Sequence, residues 1–357
     1  MEDFFNMTQT ELRLLCSSSF EVPELHAPTL MREAYRHLEP EPWLADGLPK
    51  SLARLGDQFT TAGVAVDQFR VSKYDSSVKF IARMVDGSRV ETVLMPETSR
   101  LTVCLSSQVG CAQACSFCQT GRMGLKRHLT AGEIVGQVVM IQRWLREHPE
   151  WLERNGPTDN LASSISNIVF MGMGEPLDNV DELVKAIGIM TDPLGLGIPK
   201  RKISVSTAGH LPGIKALFEK EPRISLALSL HAADDQRRSQ LMPINRRWPI
   251  RDILSYLGEY YRKLPVKRHV LIQYTVISGV NDGIEQAKQL VELLKNVPVK
   301  VNLIPLNEIS KSRFLAPESE TLMAFRDYIH NSGIRVMVRY SKGQDIDAAC
   351  GQLITNL

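Results

Sequence analysis

Hydrophobic and polar positions change their period twice along the chain. In residues 1–60, TQTELRLLCSSS and LMREAYRHL carry apolar side chains at helical spacing, and Pro23, Pro28, Pro40 and Pro42 punctuate them, which predicts short helices. Between 62 and 96 the pattern turns β-rich in VAVDQFRV, SVKFIARMV and RVETVLM, with Asp86-Gly87 as a hairpin signal. From about residue 100 onward, short apolar runs alternate with amphipathic stretches. The runs at 101–106, 166–172, 202–207, 224–230, 270–277, 299–306 and 334–339 predict strands. Residues 131–147, 180–191, 211–219, 249–263, 283–296 and 317–331 predict helices, while 149–164 and 305–318 read as longer loops.

That alternation predicts an α/β fold, a parallel sheet with crossover helices that is either doubly wound or a full or partial barrel. Strands apolar along nearly their whole length suit burial on both faces. In each of these architectures chemistry collects at the carboxyl ends of the strands. A chain 43% hydrophobic and 23% charged is ordinary for a globular protein, which excludes disorder, collagen-like repeats and a disulfide-stapled miniprotein. No apolar run approaches the roughly 20 residues of a membrane span. The acidic start, MEDFFNMTQTE, lacks the basic and apolar regions of a secretory signal, so the expectation is a cytoplasmic protein without membrane contact.

The net charge of +2 conceals an asymmetry. Residues 1–60 carry 5 Lys/Arg against 10 Asp/Glu, and residues 196–270 carry 15 against 6. Lys200-Arg201-Lys202, Arg237-Arg238, Arg246-Arg247 and Lys267-Arg268 supply most of the basic excess. Such a stretch is compatible with a polyanionic partner, or with solvated helix faces and loop ends.

Four of the six cysteines, Cys104, Cys111, Cys115 and Cys118, fall close together. In a cytosolic chain such clustering points to a metal or redox site rather than a disulfide framework. Cys111, Cys115 and Cys118 follow the first core strand at i, i+4 and i+7, and can converge if the chain curls. A 4Fe-4S cluster usually takes four thiolates; with three, one iron stays open. That iron can hold the amino and carboxylate groups of S-adenosylmethionine, and the cluster can deliver an electron to the sulfonium. Two other readings use the same residues: a zinc site with Cys104 as fourth ligand, and a redox pair of Cys115 and Cys118. A second motif, Met171-Gly-Met-Gly-Glu175-Pro176, ends the second core strand. Its glycines admit close backbone approach, and its glutamate suits an ammonium group. Ser206-Thr207, Ser229-Leu230-His231 and Asn307 end further strands at the same rim.

With these motifs in place the chain resembles the RlmN/Cfr family of radical S-adenosylmethionine RNA methyltransferases. The resemblance lies in VETVLMPE, CLSSQVGCAQACSFCQTG, VFMGMGEPLDN, SVSTAG, LALSLHAADD, LMPINRR, VNLIPLN and DIDAACGQL, from about 88 to 353. It implies a partial (β/α) barrel of the radical S-adenosylmethionine type over 99–357, a small helical accessory domain over 1–60 and a β-hairpin extension over 61–98. It implies methylation of an aromatic carbon of adenosine in rRNA and/or tRNA. Glu175-Pro176 looks more like the type that modifies carbon 2 than the type that modifies carbon 8. By the same resemblance, Cys111, Cys115 and Cys118 hold the cluster, and Gly174, Glu175, Ser206, Ser229, Leu230, His231 and Asn307 contact S-adenosylmethionine. Cys350 carries the methyl group, Cys104 forms a disulfide with it to release product, and Glu91 accepts a proton. Two S-adenosylmethionine molecules are consumed per turnover, and an electron donor such as flavodoxin or ferredoxin serves the cluster; a monomer is only the default expectation. The alternative is a radical S-adenosylmethionine enzyme of the same fold with a non-RNA substrate. Arg122, Lys126 and Arg127, just past the cysteine loop, are placed to meet RNA phosphates or to be solvated.

Overall fold

The helical periodicity of the N-terminal stretch is realised in short pieces. The structure, a computed structural model, describes residues 1–157, 165–309 and 312–355. After strand β1 (Glu2–Asp3), helix α1 (Gln9–Ser19) starts at a capping box: Thr8 accepts the Glu11 N–H and Glu11 accepts the Thr8 N–H. Helix α2 (Ala27–Arg32) runs into a π-helical turn, and α3 (Leu55–Gln58) leads to β2 (Phe59–Thr60), which pairs in parallel with β1.

Strands β3 (Val64–Val71), β4 (Val78–Met84) and β5 (Arg89–Glu97) form an antiparallel meander. β6 (Arg100–Cys104) pairs antiparallel with β5, so the expected hairpin extension is three strands continuous with the main sheet. The β5–β6 turn, Thr98-Ser99, has no glycine or asparagine to announce it. Next come β7 (Gln108–Cys111), helix α4 (Gln119–Arg122), β8 (Gly124–His128), α5 (Ala131–Glu147) and α6 (Pro149–Asn155). α6 corrects the loop expected over 149–164: Pro149 opens it at a position that needs no N–H donor, and buried Trp151 anchors it. Residues 158–164 of that expected loop, and 310–311 of the other, lie outside the described residues.

The remaining elements alternate: β9 (Ile165–Phe170), α7 (Val180–Thr191), β10 (Ile203–Thr207), α8 (Leu211–Lys220), β11 (Ser225–Ser229), α9 (Asp235–Leu241) and α10 (Ile250–Lys263). Then follow β12 (Val270–Val276), α11 (Ile284–Leu294), β13 (Val299–Pro305), α12 (Ser319–Asn331) and β14 (Val336–Val338). One ten-stranded sheet results, in the order β14-β13-β12-β11-β10-β9-β6-β5-β4-β3. Within this sheet, from β6 through β9 to β14, every pairing is parallel, while β7 and β8 form a separate pair. Among the described residues β14 and β3 do not pair, so the α/β barrel is partial, as the alternation and the resemblance led one to expect. Strand β11 shows why its centre is apolar at successive positions: Leu226, Ala227 and Leu228 are all buried, between a serine at each end. Among the described residues no helix is long and apolar enough to cross a membrane.

The N-terminal stretch shares the core of the sheet. Phe4, Phe5, Leu12 and Leu30 belong to the same buried cluster as Ile134, Val135 and Val138 of α5. Close approach depends on two glycines of α5. A Cβ on Gly136 would lie 2.6 Å from Val64, and one on Gly132 would lie 2.8 Å from the Asp3 carboxylate and 2.9 Å from Asn6, whose side chain accepts the Gly132 N–H at 2.9 Å. Asp3 is half-buried at this junction with one carboxylate oxygen enclosed, and desolvation raises its carboxyl to about 6 from an ordinary 3.8, despite the Phe5 N–H it accepts. A folded-state value above the unfolded one means stability is lost as pH rises from about 4 through 6. Asp3→Asn is therefore expected to raise stability by about 1–3 kcal/mol at pH 8 and to change little at pH 4. Melting curves at the two pH values check this; equal melting of both proteins at pH 8 would contradict it.

Candidate active site

The carboxyl ends of β9 to β13 surround a cavity, as the topology demands. Gly174 and Glu175 after β9, Ser206 on β10, Ser229 on β11, His231 just beyond it and Asn307 after β13 all line it. Leu230 is buried behind the wall; its N–H donates to the Gln273 carbonyl at 2.9 Å. Gly174 has φ +105°, and a Cβ there would lie 2.6 Å from the Gln108 side chain, so the backbone itself forms the wall. Glu175 is buried and accepts the Leu177 N–H at 3.1 Å and the Ala208 N–H at 2.7 Å. Burial still pushes its carboxyl up to about 7, leaving it ready for a cationic partner. His231 Nδ1 accepts the Thr275 N–H at 2.8 Å, and burial drives the imidazole down to about 3. The ring is therefore neutral, with its proton on Nε2. Ser206 and Ser229 hydroxyls stand 3.3 Å apart.

The cysteine motif spans the loop between β7 and α4, and β7 and β8 pair antiparallel to clamp its base. Gly110 has φ +77°, and a Cβ there would lie 1.9 Å from the Gly124 carbonyl oxygen, so only glycine lets the clamp close. Cys115, Phe117 and Cys118 face the cavity, whereas Cys111, at the end of β7, is buried beside it. Burial raises all three thiols; the charge Cys118 would carry as a thiolate raises Cys111 and Cys115 further, while the Gly121 and Thr120 hydrogen bonds and Arg122 oppose the rise at Cys118. Three soft donors whose anionic form is disfavoured by burial are the donor chemistry that a cationic iron–sulfur cluster relieves, so the residues fit such a group. Among the described residues no three His, Cys, Asp or Glu side chains already converge on one metal position, so binding requires the thiols to turn toward a common point.

Past β14 the chain doubles back over the open side of the barrel as a strap, residues 339–355. The Gly343 N–H donates to Asp75 at 2.7 Å and the Lys73 N–H to Asp345 at 2.9 Å. The Gln119 N–H donates to the Gly351 carbonyl at 2.8 Å and the Thr120 hydroxyl to the Leu353 carbonyl at 2.7 Å. Asn307 donates to the Cys350 carbonyl at 3.1 Å. The strap thereby carries Cys350 into the cavity that Cys115 and Cys118 face. Cys350 also lines a second cavity, of about 380 Å³, whose wall includes Cys104. All six cysteines are free thiols. Cys104 is pushed up to about 12 by burial and by the nearby Cys350. The Cys350 side chain faces open cavity space; surrounding protein raises its thiol while the Arg339 guanidinium pulls it back. Glu91 is not on either wall. It is buried on β5 beside a third cavity, ion-paired with Lys79 at 3.1 Å.

Comparison with known proteins bears on this arrangement. Over 280 residues, 78% of this chain and 71% of the relative, the sequence is 44% identical to the dual-specificity RNA methyltransferase RlmN of Pseudomonas fluorescens (strain SBW25). It is also 44% identical over 282 residues, 78% of this chain and 73% of the relative, to that of Marinobacter nauticus. The chain belongs to the RlmN family. A crystal structure of a radical SAM methyltransferase from Sphaerobacter thermophilus matches at a TM-score of 0.89 and 38% identity, covering 99% of both chains. No protein-family model matches the chain.

One feature of this RlmN-family site escaped sequence reasoning. Arg238, read there as part of a surface charge run, is fully buried under the cavity. Its guanidinium donates to the carbonyls of Ala208 at 2.6 Å, Ser229 at 3.0 Å and Leu230 at 3.0 Å, and to Asn245 at 2.8 Å. It ties the ends of β10 and β11 together and sets a positive charge below Cys115 and Glu175. Its signal was weak: a doublet in which one arginine, Arg237, pairs with Asp234 while the other turns inward. Much other basic excess is likewise engaged, with Lys200 on Glu221 and Arg268 on three backbone carbonyls. Arg127 is held by Asp86 and Glu133, while Arg122 and Lys126 are exposed. Arg238→Met removes a donor from three carbonyls, of which that of Leu230 keeps another, the Ala232 N–H, and is expected to cost at least about 3 kcal/mol in urea unfolding. A loss under about 1 kcal/mol would mean that water replaces the guanidinium.

Proposed function

We propose that this chain methylates an aromatic carbon of adenosine in ribosomal and/or transfer RNA, carbon 2 in preference to carbon 8, delivering the methyl group through Cys350. The observation that carries the reading is the shared cavity. Thiols of the clamped loop and the thiol of the C-terminal strap face one space, ringed by the strand-end groups of β9 to β13. Cys111, Cys115 and Cys118 would hold a 4Fe-4S cluster, which when bound supplies the electron for reductive cleavage of S-adenosylmethionine. Glu175 would take the ammonium of that cosubstrate, and Gly174, Ser206, Ser229, Leu230, neutral His231 and Asn307 would seat the rest of it.

Two extra cysteines answer a chemical problem. The amidine carbons of adenine are electrophilic and do not displace a methyl group from a sulfonium. A thiolate does, so Cys350 attacks one S-adenosylmethionine and becomes S-methylcysteine. Loss of a hydrogen atom from that methyl to the 5′-deoxyadenosyl group of a second S-adenosylmethionine lets its carbon bond to the purine, and the unpaired electron left on the adduct would return to the cluster that supplied it. Glu91 then takes the ring proton. Cys104, as the thiolate, attacks the Cys350 sulfur, the sulfur–sulfur bond forming as the carbon–sulfur bond breaks, and the released carbon takes up a proton to complete the methyl group. Their common cavity wall supports this pairing.

Anaerobic reaction with trideuteromethyl S-adenosylmethionine, a reductant and unmodified RNA tests the proposal by mass spectrometry of digested nucleosides. Wild-type enzyme is expected to yield a methyladenosine that retains two donor deuteriums, with carbon 2 separated from carbon 8 by chromatography. Cys350→Ala is expected to abolish the product while leaving the cluster intact, and Cys104→Ala to accumulate protein cross-linked to RNA. Full activity in both variants would remove the carrier mechanism.

A further inference from the structure

Lys79 lies on β4 directly across from Val93 of β5, so it shares a sheet face with Glu91, one diagonal step away. Its side chain is 9% exposed and that of Glu91 3% exposed. Lysine is seldom so buried unless its ammonium is paired. Here the ammonium has two partners. One is Glu91 Oε1 at 3.1 Å, and the other is the backbone carbonyl of Asp347 at 3.2 Å, three residues before Cys350. The other carboxylate oxygen, Oε2, accepts the Ile354 N–H at 3.0 Å, four residues after Cys350.

We propose that Lys79 is a positioning residue for methyl transfer, bridging the Glu91 carboxylate to the strap so that the proton acceptor and the methyl-carrying Cys350 keep a fixed relation. The inference rests on the carrier mechanism above. It explains why Glu91, which borders neither cavity lined by Cys350, is nonetheless bonded to chain on both sides of it. The ammonium has an electrostatic role as well. Burial raises the Glu91 carboxyl and Asp347 raises it further, while Lys79 and the Ile354 N–H oppose them. Asp67, Arg70, Arg89 and Glu308 complete the charged lining of the adjoining cavity of about 530 Å³. Without the ammonium, Glu91 would hold its proton to higher pH and could not accept another from the purine ring. Accepting that proton converts the carboxylate to the acid beside Lys79, and the two electrons of the broken carbon–hydrogen bond stay with the RNA adduct.

The test compares wild type, Lys79→Met and Lys79→Arg as full-length, cluster-reconstituted enzymes, with dithionite, S-adenosylmethionine and in vitro transcribed ribosomal and transfer RNA. Lys79→Met is expected to slow methyladenosine formation about 10- to 100-fold while Cys350 methylation and 5′-deoxyadenosine release persist. Cross-linked protein–RNA adduct should accumulate, and the acid limb of the rate profile should move to higher pH. Lys79→Arg, which keeps the charge, should recover most of the rate. Wild-type rates and an unmoved acid limb in Lys79→Met would overturn the proposal. So would an equal loss of all three products at every pH, which marks a folding defect only. Wild-type enzyme that neither methylates RNA nor carries S-methyl-Cys350 would remove the carrier mechanism itself, and this proposal with it.

Discussion

The site depends on one topological constraint: a thiol near the end of the chain must return across the mouth of an unclosed barrel. Cys104 ends β6, and β14 lies at the sheet edge with five strands between them. Regular structure cannot carry Cys350 from that edge to the cavity, so an irregular strap does. Ordering such a segment costs about 1–2 kcal/mol per residue, while each hydrogen bond returns a net of about 0.5–1.5 kcal/mol. Hydrogen bonds alone therefore do not hold it. Ile346, Ala348, Ala349 and Leu353 are buried, and their apolar burial supplies the remainder.

Electrostatics at the cavity follow from the burial of its lining groups. Thiols of the loop rise, Glu175 rises to about 7, and His231 falls to about 3. Each shift has the same cause, the penalty for charge away from water. Arg238 is the exception in sign of purpose. Its buried charge is dispersed over backbone carbonyls and an amide, so it stabilises strand ends rather than meeting a ligand. The cavity thus offers donors and acceptors more than fixed charge, an environment suited to a ligand that brings its own.

Local pattern was the legible part of this protein. The predicted helix over 131–147 coincides with α5, because Thr130 and Glu133 form a capping box and the apolar stripe repeats at helical spacing. The strand runs from 101 onward are all strands, since continuous apolar runs between polar segments have few other uses in an alternating fold. The site was legible where residues sit close in sequence, as in the cysteine motif and Gly174-Glu175. It was illegible where partners are remote: Lys79 with Glu91 and Asp347, Arg238 with Ala208, or β5 with β6 across a turn lacking glycine.

By itself, then, the sequence determined the alternation of strands and helices, the rim where chemistry gathers, and the donor types present there. Those properties follow from period, local turn chemistry and side-chain identity. Only the tertiary structure decided that Cys350 shares one cavity with Cys115 and another with Cys104, that Glu91 lies aside from both, and that Arg238 is buried. Those facts depend on sheet curvature and on the path of the strap, which contacts between distant residues set and no local pattern encodes.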